Sequence, residues 1–180
     1  EPLYKKRQKR KLGTFFIIIL LSIVMAIAGF VLNISAAQMA TDTYDTKIDD
    51  AAKTTDYDTK VSIYEECIAI PNKAGEKEAY LGLIQTFKED DSVFSVEEGK
   101  LLEKLIKNNK TALQENPENY TEICFETGKL YWYYYDYADG SQITKAKSSI
   151  EWFQDVIDNA PEEYENIGMA RVYANIGIFY

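Results

Sequence analysis

The chain has no histidine, only two cysteines and only four prolines in 180 residues. Without histidine it lacks the commonest general acid–base residue and the commonest metal ligand. Paired carboxylates are frequent, but none lies in a recognisable catalytic setting, and the acidic clusters lack the ligand order of a calcium-binding loop. We therefore predict no catalytic residue, no metal site and no cofactor for these residues.

The two cysteines, Cys67 and Cys124, are far apart in the sequence and form no CxxC pattern. Outside the cell membrane they could form a disulfide. Each also falls on the apolar face of a predicted helix, where a small buried thiol is ordinary. The sequence leaves both states open.

Charge is absent from residues 12–41, and this region contains the apolar run Phe15–Leu32, interrupted only by Ser22. A helix over residues 14–37 covers the hydrocarbon core of a bilayer, about 30 Å, because a helix rises about 1.5 Å per residue. We predict a single transmembrane helix there. Its small residues form no GxxxG pair, so association through the span is not predicted.

Six basic residues precede the span, and acidic residues follow it from Asp42 onward. The basic residues are Lys5, Lys6, Arg7, Lys9, Arg10 and Lys11. The positive-inside rule predicts a cytoplasmic juxtamembrane segment, residues 1–13, and an extracytoplasmic C-terminal part of a single-pass cell-membrane protein. A cleaved signal peptide is the alternative, since Ser35-Ala36-Ala37 suits a signal peptidase. The apolar region is longer than the usual h-region of about 7–15 residues, which favours an uncleaved anchor.

The part beyond the span is strongly acidic. Six of the 20 basic residues and one of the 29 acidic residues lie in residues 1–37, which leaves 14 basic and 28 acidic residues for the rest. A domain with this balance does not attract nucleic acid by charge. The expected partners are the membrane and a protein or peptide outside it.

Beyond a polar connector at residues 38–58, partly helical around residues 45–53, apolar residues recur at helical spacing and no segment alternates like a strand. The spacing predicts five apolar helix faces: Val61, Tyr64, Cys67 and Ile68; Tyr80, Leu83, Ile84 and Phe87; Leu101, Leu102, Leu105, Ile106, Ala112 and Leu113; Ala146, Ile150, Phe153, Val156, Ile157 and Ala160; and Tyr173, Ile176, Gly177 and Tyr180. Ser95 and Glu98 form a capping-box pattern, and Pro71, Pro117 and Pro161 recur 46 and 44 residues apart. We predict an all-α fold, with residues 59–180 forming stacked helix pairs.

These helices resemble tetratricopeptide repeats. The large–small–aromatic pattern of a first helix is present in Tyr173-x-x-Ile176-Gly177-x-x-Tyr180, in Gly128-x-x-Tyr131 and, with a bulky Ile84, in Tyr80-x-x-Leu83-Ile84-x-x-Phe87. The second-helix pattern is present in Ser149-x3-Phe153-x2-Val156-x4-Pro161 and partly in Ala112-x4-Pro117. The period exceeds the usual ~34 residues. The resemblance implies a degenerate tetratricopeptide-like stack of antiparallel helix pairs, cut after the first helix of its last repeat.

The layout as a whole resembles part of another family. The basic segment from Tyr4 to Lys11, one span and then residues 119–137 are similar to the C-terminal part of membrane serine/threonine protein kinases of Gram-positive bacteria. That resemblance implies a cytoplasmic kinase domain upstream of Glu1. These 180 residues cannot catalyse phosphoryl transfer as a protein kinase does, because they lack the H-R-D, D-F-G and G-x-G-x-x-G motifs.

In tetratricopeptide folds the first helix of each pair lines a concave groove, and Gly128 at the small position identifies its residues here. The resemblance thus implies a partner-binding groove, called the predicted groove below, of Glu122, Phe125, Lys129, Trp132, Tyr133, Glu78, Leu81, Gln85 and Lys88. Trp132 and Tyr133 offer flat faces with polar tips, which suit an extended peptide or a sugar. Packing of helix against helix is the alternative use of these aromatic residues.

Two functions are compatible with this organisation. The first is an extracytoplasmic sensor module that couples an envelope ligand to a cytoplasmic kinase. Because one span cannot easily transmit a bend, ligand-promoted homodimerisation is the expected mechanism. The second is a membrane-tethered scaffold for protein–protein interactions in the cell envelope, with no kinase.

Overall fold

The computed structural model describes residues 3–89, 94–134 and 142–178, and describes side chains for residues 18–89, 94–134 and 147–174. The regular elements of these residues are all α-helices, which confirms the all-α prediction. In chain order they are α1 Leu3–Lys53, α2 Tyr57–Ile68, α3 Lys77–Glu89, α4 Val96–Asn108, α5 Lys110–Gln114, α6 Pro117–Tyr134, α7 Gln142–Asn159 and α8 Ile167–Ile178. They form two compact units, Glu1–Asp42 and Thr43–Tyr180.

The first unit is the greater part of α1. Its portion from Ile18 onward has a mean hydropathy of 2.5 over the most apolar stretch, and none of that stretch is buried. Large apolar side chains such as Met25, Phe30 and Leu32 are therefore exposed around the helix. By length and composition this is the one helix of the described residues that could cross a membrane.

The segment predicted as a connector, residues 38–58, is mostly helical. α1 continues to Lys53, and α2 begins at Tyr57 after the cap residue Asp56. Tyr44 and Ala51 are buried within the second unit. The backbone N–H of Ala79, at the start of α3, donates a hydrogen bond to the Tyr44 hydroxyl at 3.2 Å. The sequence did not predict that the end of α1 packs in the second unit, because two buried side chains produce only a weak apolar periodicity.

The core of the second unit follows the predicted apolar faces. The buried side chains include Tyr64, Cys67 and Ile68 on α2, Tyr80, Leu83, Ile84 and Phe87 on α3, Leu102 and Ile106 on α4, and Phe153 and Val156 on α7. The predicted capping box is confirmed at the start of α4. There the Glu98 N–H donates to Ser95 Oγ at 3.2 Å, and the Ser95 N–H donates to Glu98 Oε2 at 2.5 Å.

Within this unit, helices pack on neighbours in a regular order. α2 packs on α3, α3 on α6, α6 on both α5 and α7, and α7 on α8. Several polar contacts within this unit join residues 44 or 45 positions apart. They are Gly75–Asn119, Lys77–Glu122, Lys110–Asp155 and Gln114–Asn159. The four contacts lie between residues 75 and 159, and their separation is close to the proline spacings of 46 and 44 residues.

Both cysteines are buried thiols on different helices and do not form a disulfide. Burial raises the pKa of the Cys124 thiol to about 12 and also raises the pKa of the Cys67 thiol. A thiol is far less reactive than a thiolate, so both side chains behave as small core residues.

Candidate functional site

The predicted groove draws its residues from two helices that pack on each other, α3 and α6. On α3, Glu78 and Gln85 are exposed, while Leu81 and Lys88 are half-buried. Gln85 donates a hydrogen bond to Glu89 at 2.9 Å, within its own helix. Side chains on this face of α3 are therefore accessible at two positions and partly engaged in packing at the other two.

On α6, the predicted groove residues differ in exposure. Tyr133 is 54% exposed, Glu122, Lys129 and Trp132 are half-buried, and Phe125 is only 5% exposed. The Phe125 ring packs edge-on against Phe153 at 5.9 Å and against Tyr164 at 6.5 Å between ring centroids. Lys129 Nζ lies 5.4 Å from the centroid of the same ring. Phe125 thus belongs to the packed interior, whereas Tyr133 is presented to solvent.

Charged side chains connect α3 and α6 across this face. Lys77 Nζ lies 2.5 Å from a carboxylate oxygen of Glu122. Glu126 accepts from Lys88 at 2.8 Å and from Lys129 at 2.7 Å. Burial alone raises the pKa of the Glu126 carboxyl, but the hydrogen bonds from Lys129 and Lys88 outweigh burial and hold the pKa below its ordinary value. The lysines of this face are therefore each within ion-pair distance of a glutamate.

A cluster of two exposed and two half-buried aromatic residues lies where the C-terminal end of α6 meets α8. We call Trp132, Tyr133, Tyr134 and Tyr173 the aromatic patch. The Tyr173 ring stacks on the buried Phe153 ring, 4.8 Å away and 15° from parallel. Its hydroxyl lies 2.8 Å from the Tyr133 hydroxyl, and this hydrogen bond together with burial raises the pKa of Tyr173 to about 12. The stacking of Tyr173 on the buried Phe153 thus holds the patch in place against the core.

An acidic cleft of about 460 Å³ lies at the opposite, N-terminal end of α6. Four glutamates and one lysine line it, together with residues of the segment before α8. The lining residues are Lys77, Glu118, Glu122, Pro161, Glu163, Tyr164, Glu165 and Asn166. Within the part of the chain that the structure describes, no group of three or more acidic, cysteine or histidine side chains is arranged to hold a metal ion.

Some predicted residues lie outside the described side chains. α1 includes the residues predicted to determine the membrane topology, but the structure describes only their backbone. They are Lys5, Lys6, Arg7, Lys9, Arg10 and Lys11. For Ile176 and Gly177, too, the structure describes only the backbone. Residues 135–141 and 180 lie outside the described residues.

Sequence reasoning missed Lys77, Glu126, Tyr164 and Tyr173 as members of this face. Lys77 was detectable, because it lies 45 residues before Glu122 and carries the opposite charge. Glu126 lies one turn after Glu122 and one turn before Lys129, yet its partner Lys88 comes from another helix. Only the packing of α8 brings Tyr173 to Tyr133.

No protein-family model, no curated protein and no solved structure significantly matches this chain.

Proposed function

We propose that the chain is a single-pass membrane protein whose second unit is an extracytoplasmic tetratricopeptide-like module that binds a protein or peptide partner. The observation that carries the fold is the recurrence of polar contacts 44 or 45 residues apart, from Gly75–Asn119 to Gln114–Asn159. Such recurrence is expected when each repeat contacts only its neighbours. Contact between Gly128 and Phe153, the small and aromatic positions of the two motif helices, supports the same assignment.

The membrane anchor is supported by α1. Its apolar side chains are exposed on every side of the helix. Removing one large apolar side chain from water is favourable by about 1.5–3 kcal/mol. Lipid removes them from water without any protein partner. The basic residues before the span support a cytoplasmic N-terminus.

Partner binding is supported by the face that α3 and α6 share. It combines exposed Glu78 and Gln85 with the half-buried Trp132 and the exposed Tyr133. Exposed aromatic residues that are held rigidly are typical of protein interfaces. The resemblance to the outer region of membrane serine/threonine kinases supports a sensor role, in which partner binding promotes homodimerisation of the parent kinase. The scaffold without a kinase remains the second candidate, and the coding sequence upstream of Glu1 distinguishes them.

Sidedness is tested with single introduced cysteines, because both native thiols are buried. We expect Lys100→Cys, at an exposed position of α4, to react with a membrane-impermeant maleimide in intact cells. Gln8→Cys is expected to react only after lysis. The reverse pattern, or loss of residues 1–37 from the mature protein, would refute the proposed topology.

Partner binding is tested by photo-crosslinking from two matched glutamine positions. Gln85 on α3 and Gln154 on α7 are both exposed, and each donates to a carboxylate four residues later, at 2.9 and 2.8 Å. A photoreactive residue at position 85 is expected to yield a specific adduct in intact cells, and the same residue at position 154 none. Equal yields at both positions would remove the predicted groove as the binding face.

A further inference from the structure

The exposed large apolar side chains of the described second unit are confined to two helices. They are Tyr133, Tyr134, Met169 and Val172, each between 44% and 54% exposed, on α6 and α8. The two tyrosines belong to the aromatic patch, which shares Trp132 and Tyr133 of α6 with the predicted groove. A surface that concentrates exposed rings in one place is a candidate for ligand contact.

The aromatic patch is preorganised. Tyr173 stacks on Phe153, which is fully buried, and holds Tyr133 perpendicular to itself, with 89° between ring planes and 6.3 Å between centroids. Trp132, the residue before Tyr133 on α6, has its ring centroid 5.9 Å from that of Tyr173. Rings held in place by the core lose little conformational entropy when a ligand contacts them.

Charge selects among the ligands that stack on aromatic rings. The residues beyond the span include 28 acidic and 14 basic side chains. Lys88 and Lys129 of the predicted groove each form an ion pair with Glu126, and the neighbouring Lys77 forms one with Glu122. The field of this unit therefore attracts cations and repels anions. Aromatic faces bind cations as well, through the negative charge of the ring face.

We propose that the aromatic patch binds the cationic side chains of an extended basic peptide segment that runs along α6. This inference rests on the proposed function and names the class of its partner. Glu122 and Tyr133 are eleven positions apart, which corresponds to about 16 Å along a helix and to about five residues of extended chain. A short lysine-bearing segment can therefore contact the patch while its other end lies near the acidic cleft.

The test uses the full chain in phosphatidylcholine nanodiscs, a zwitterionic bilayer that does not itself attract a cationic peptide. The probe is a fluorescein-labelled nonapeptide of alternating lysine and serine, and binding is followed by fluorescence anisotropy against empty nanodiscs. Two comparison ligands are the same peptide with glutamate in place of lysine and a tetrasaccharide of N-acetylglucosamine. We expect the lysine peptide to bind, and more weakly as salt is raised.

Variants locate the binding site. Trp132→Ala and Tyr133→Ala are each expected to weaken binding of the lysine peptide about 3- to 30-fold, the range of a cation–π contact. Tyr133→Phe keeps the ring and is expected to stay within about twofold of the wild type, because the hydroxyl is not the contact. Val172→Ala is the control, an exposed apolar side chain outside the patch, and leaves affinity unchanged.

Each contrary result has one meaning. Preferential binding of the glutamate peptide or the sugar would overturn the cationic assignment. Binding of the lysine peptide that Trp132→Ala and Tyr133→Ala do not affect would overturn the location. If the lysine peptide fails to bind while position 85 still crosslinks a partner in cells, this inference fails and the proposed function stands. If neither occurs, both fail.

Discussion

Gly128 on α6 lies directly against the ring of Phe153 on α7. A Cβ atom added at Gly128 would be 2.8 Å from Phe153 Cε1, closer than real Cβ contacts come. Movement of the Phe153 ring away from Gly128 is restricted, because the ring is fully buried and also stacks on Tyr173. This contact therefore sets the distance between α6 and α7 and, through the same ring, the position of α8.

The close approach predicts that Gly128→Ala destabilises the second unit. We expect a loss of about 1–3 kcal/mol in the free energy of unfolding from overpacking, even though alanine favours helix formation by up to about 1 kcal/mol. Gly168→Ala is the matched control, since nothing lies within 4 Å of its added Cβ. Denaturant unfolding followed by tryptophan fluorescence measures both. A Gly128→Ala protein as stable as the wild type would contradict the packing.

Lys77 and Glu122 join α3 to α6 at 45 residues' separation, and their charges can be exchanged. Lys77→Glu and Glu122→Lys should each destabilise by about 0.5–1 kcal/mol, while the double variant regains most of the loss. The Lys53–Asp49 pair, both exposed and 3.9 Å apart, is the control, and its exchange should change little. Additive losses in the Lys77–Glu122 double variant would show that these helices do not meet there.

The ionisation of Glu126 makes the free energy of unfolding depend on pH. Because hydrogen bonds from Lys129 and Lys88 hold its folded-state pKa below the ordinary value of 4.5, its contribution is present above that value and is lost as pH falls through the folded-state pKa. Glu126→Gln should therefore be less stable than the wild type at neutral pH, with the difference shrinking below about pH 4.5. Glu151→Gln, at an exposed position of α7, is the control. A difference independent of pH would contradict this account.

Tyr44 binds the end of α1 into the second unit through the backbone N–H of Ala79. Tyr44→Phe leaves that buried N–H without its acceptor, so we expect a loss of about 1–3 kcal/mol. Tyr133→Phe also removes one hydroxyl hydrogen bond, but an exposed one, and should cost much less. Thermal unfolding monitored by circular dichroism compares the two. Equal effects would mean that residues 43–53 are not part of this core.

Two buried threonines on α6 differ in their hydrogen bonds. The Thr121 hydroxyl donates to the Pro117 carbonyl at 2.6 Å, whereas the Thr127 hydroxyl has no partner among the described residues. Thr127→Val should be neutral or stabilising by about 1 kcal/mol, because it removes a buried polar group that is not paired. Thr121→Val removes a bonded hydroxyl and should be destabilising. Denaturant unfolding measures both variants, and Thr127→Val is expected to have the higher midpoint. A higher midpoint for Thr121→Val would contradict the hydrogen bonding described for these two hydroxyls.

Much of the fold was predictable because local patterns carried it. The faces of α2, α3, α4 and α7 followed from helical spacing, and the start of α4 followed from its capping box. The end of α1 did not, because only Tyr44 and Ala51 of it are buried. The two helices that hold the predicted groove residues, α3 and α6, pack on each other, and the groove itself stays a prediction. The burial of Phe125 and the bridge from Lys88 to Glu126 could not be predicted, because they depend on contacts between helices.

By itself, the sequence determined what neighbouring residues along a chain can determine: an uncharged apolar helix with a basic flank, an acidic helical remainder without histidine, and a spacing of about 45 residues between prolines. Those properties depend on periodicity, charge and composition, which need no knowledge of partners. Only the tertiary structure decided which aromatic rings are buried and which face solvent. Tyr133 and Tyr173 meet through the packing of α6, α7 and α8, and no local pattern specifies a contact between side chains 40 residues apart.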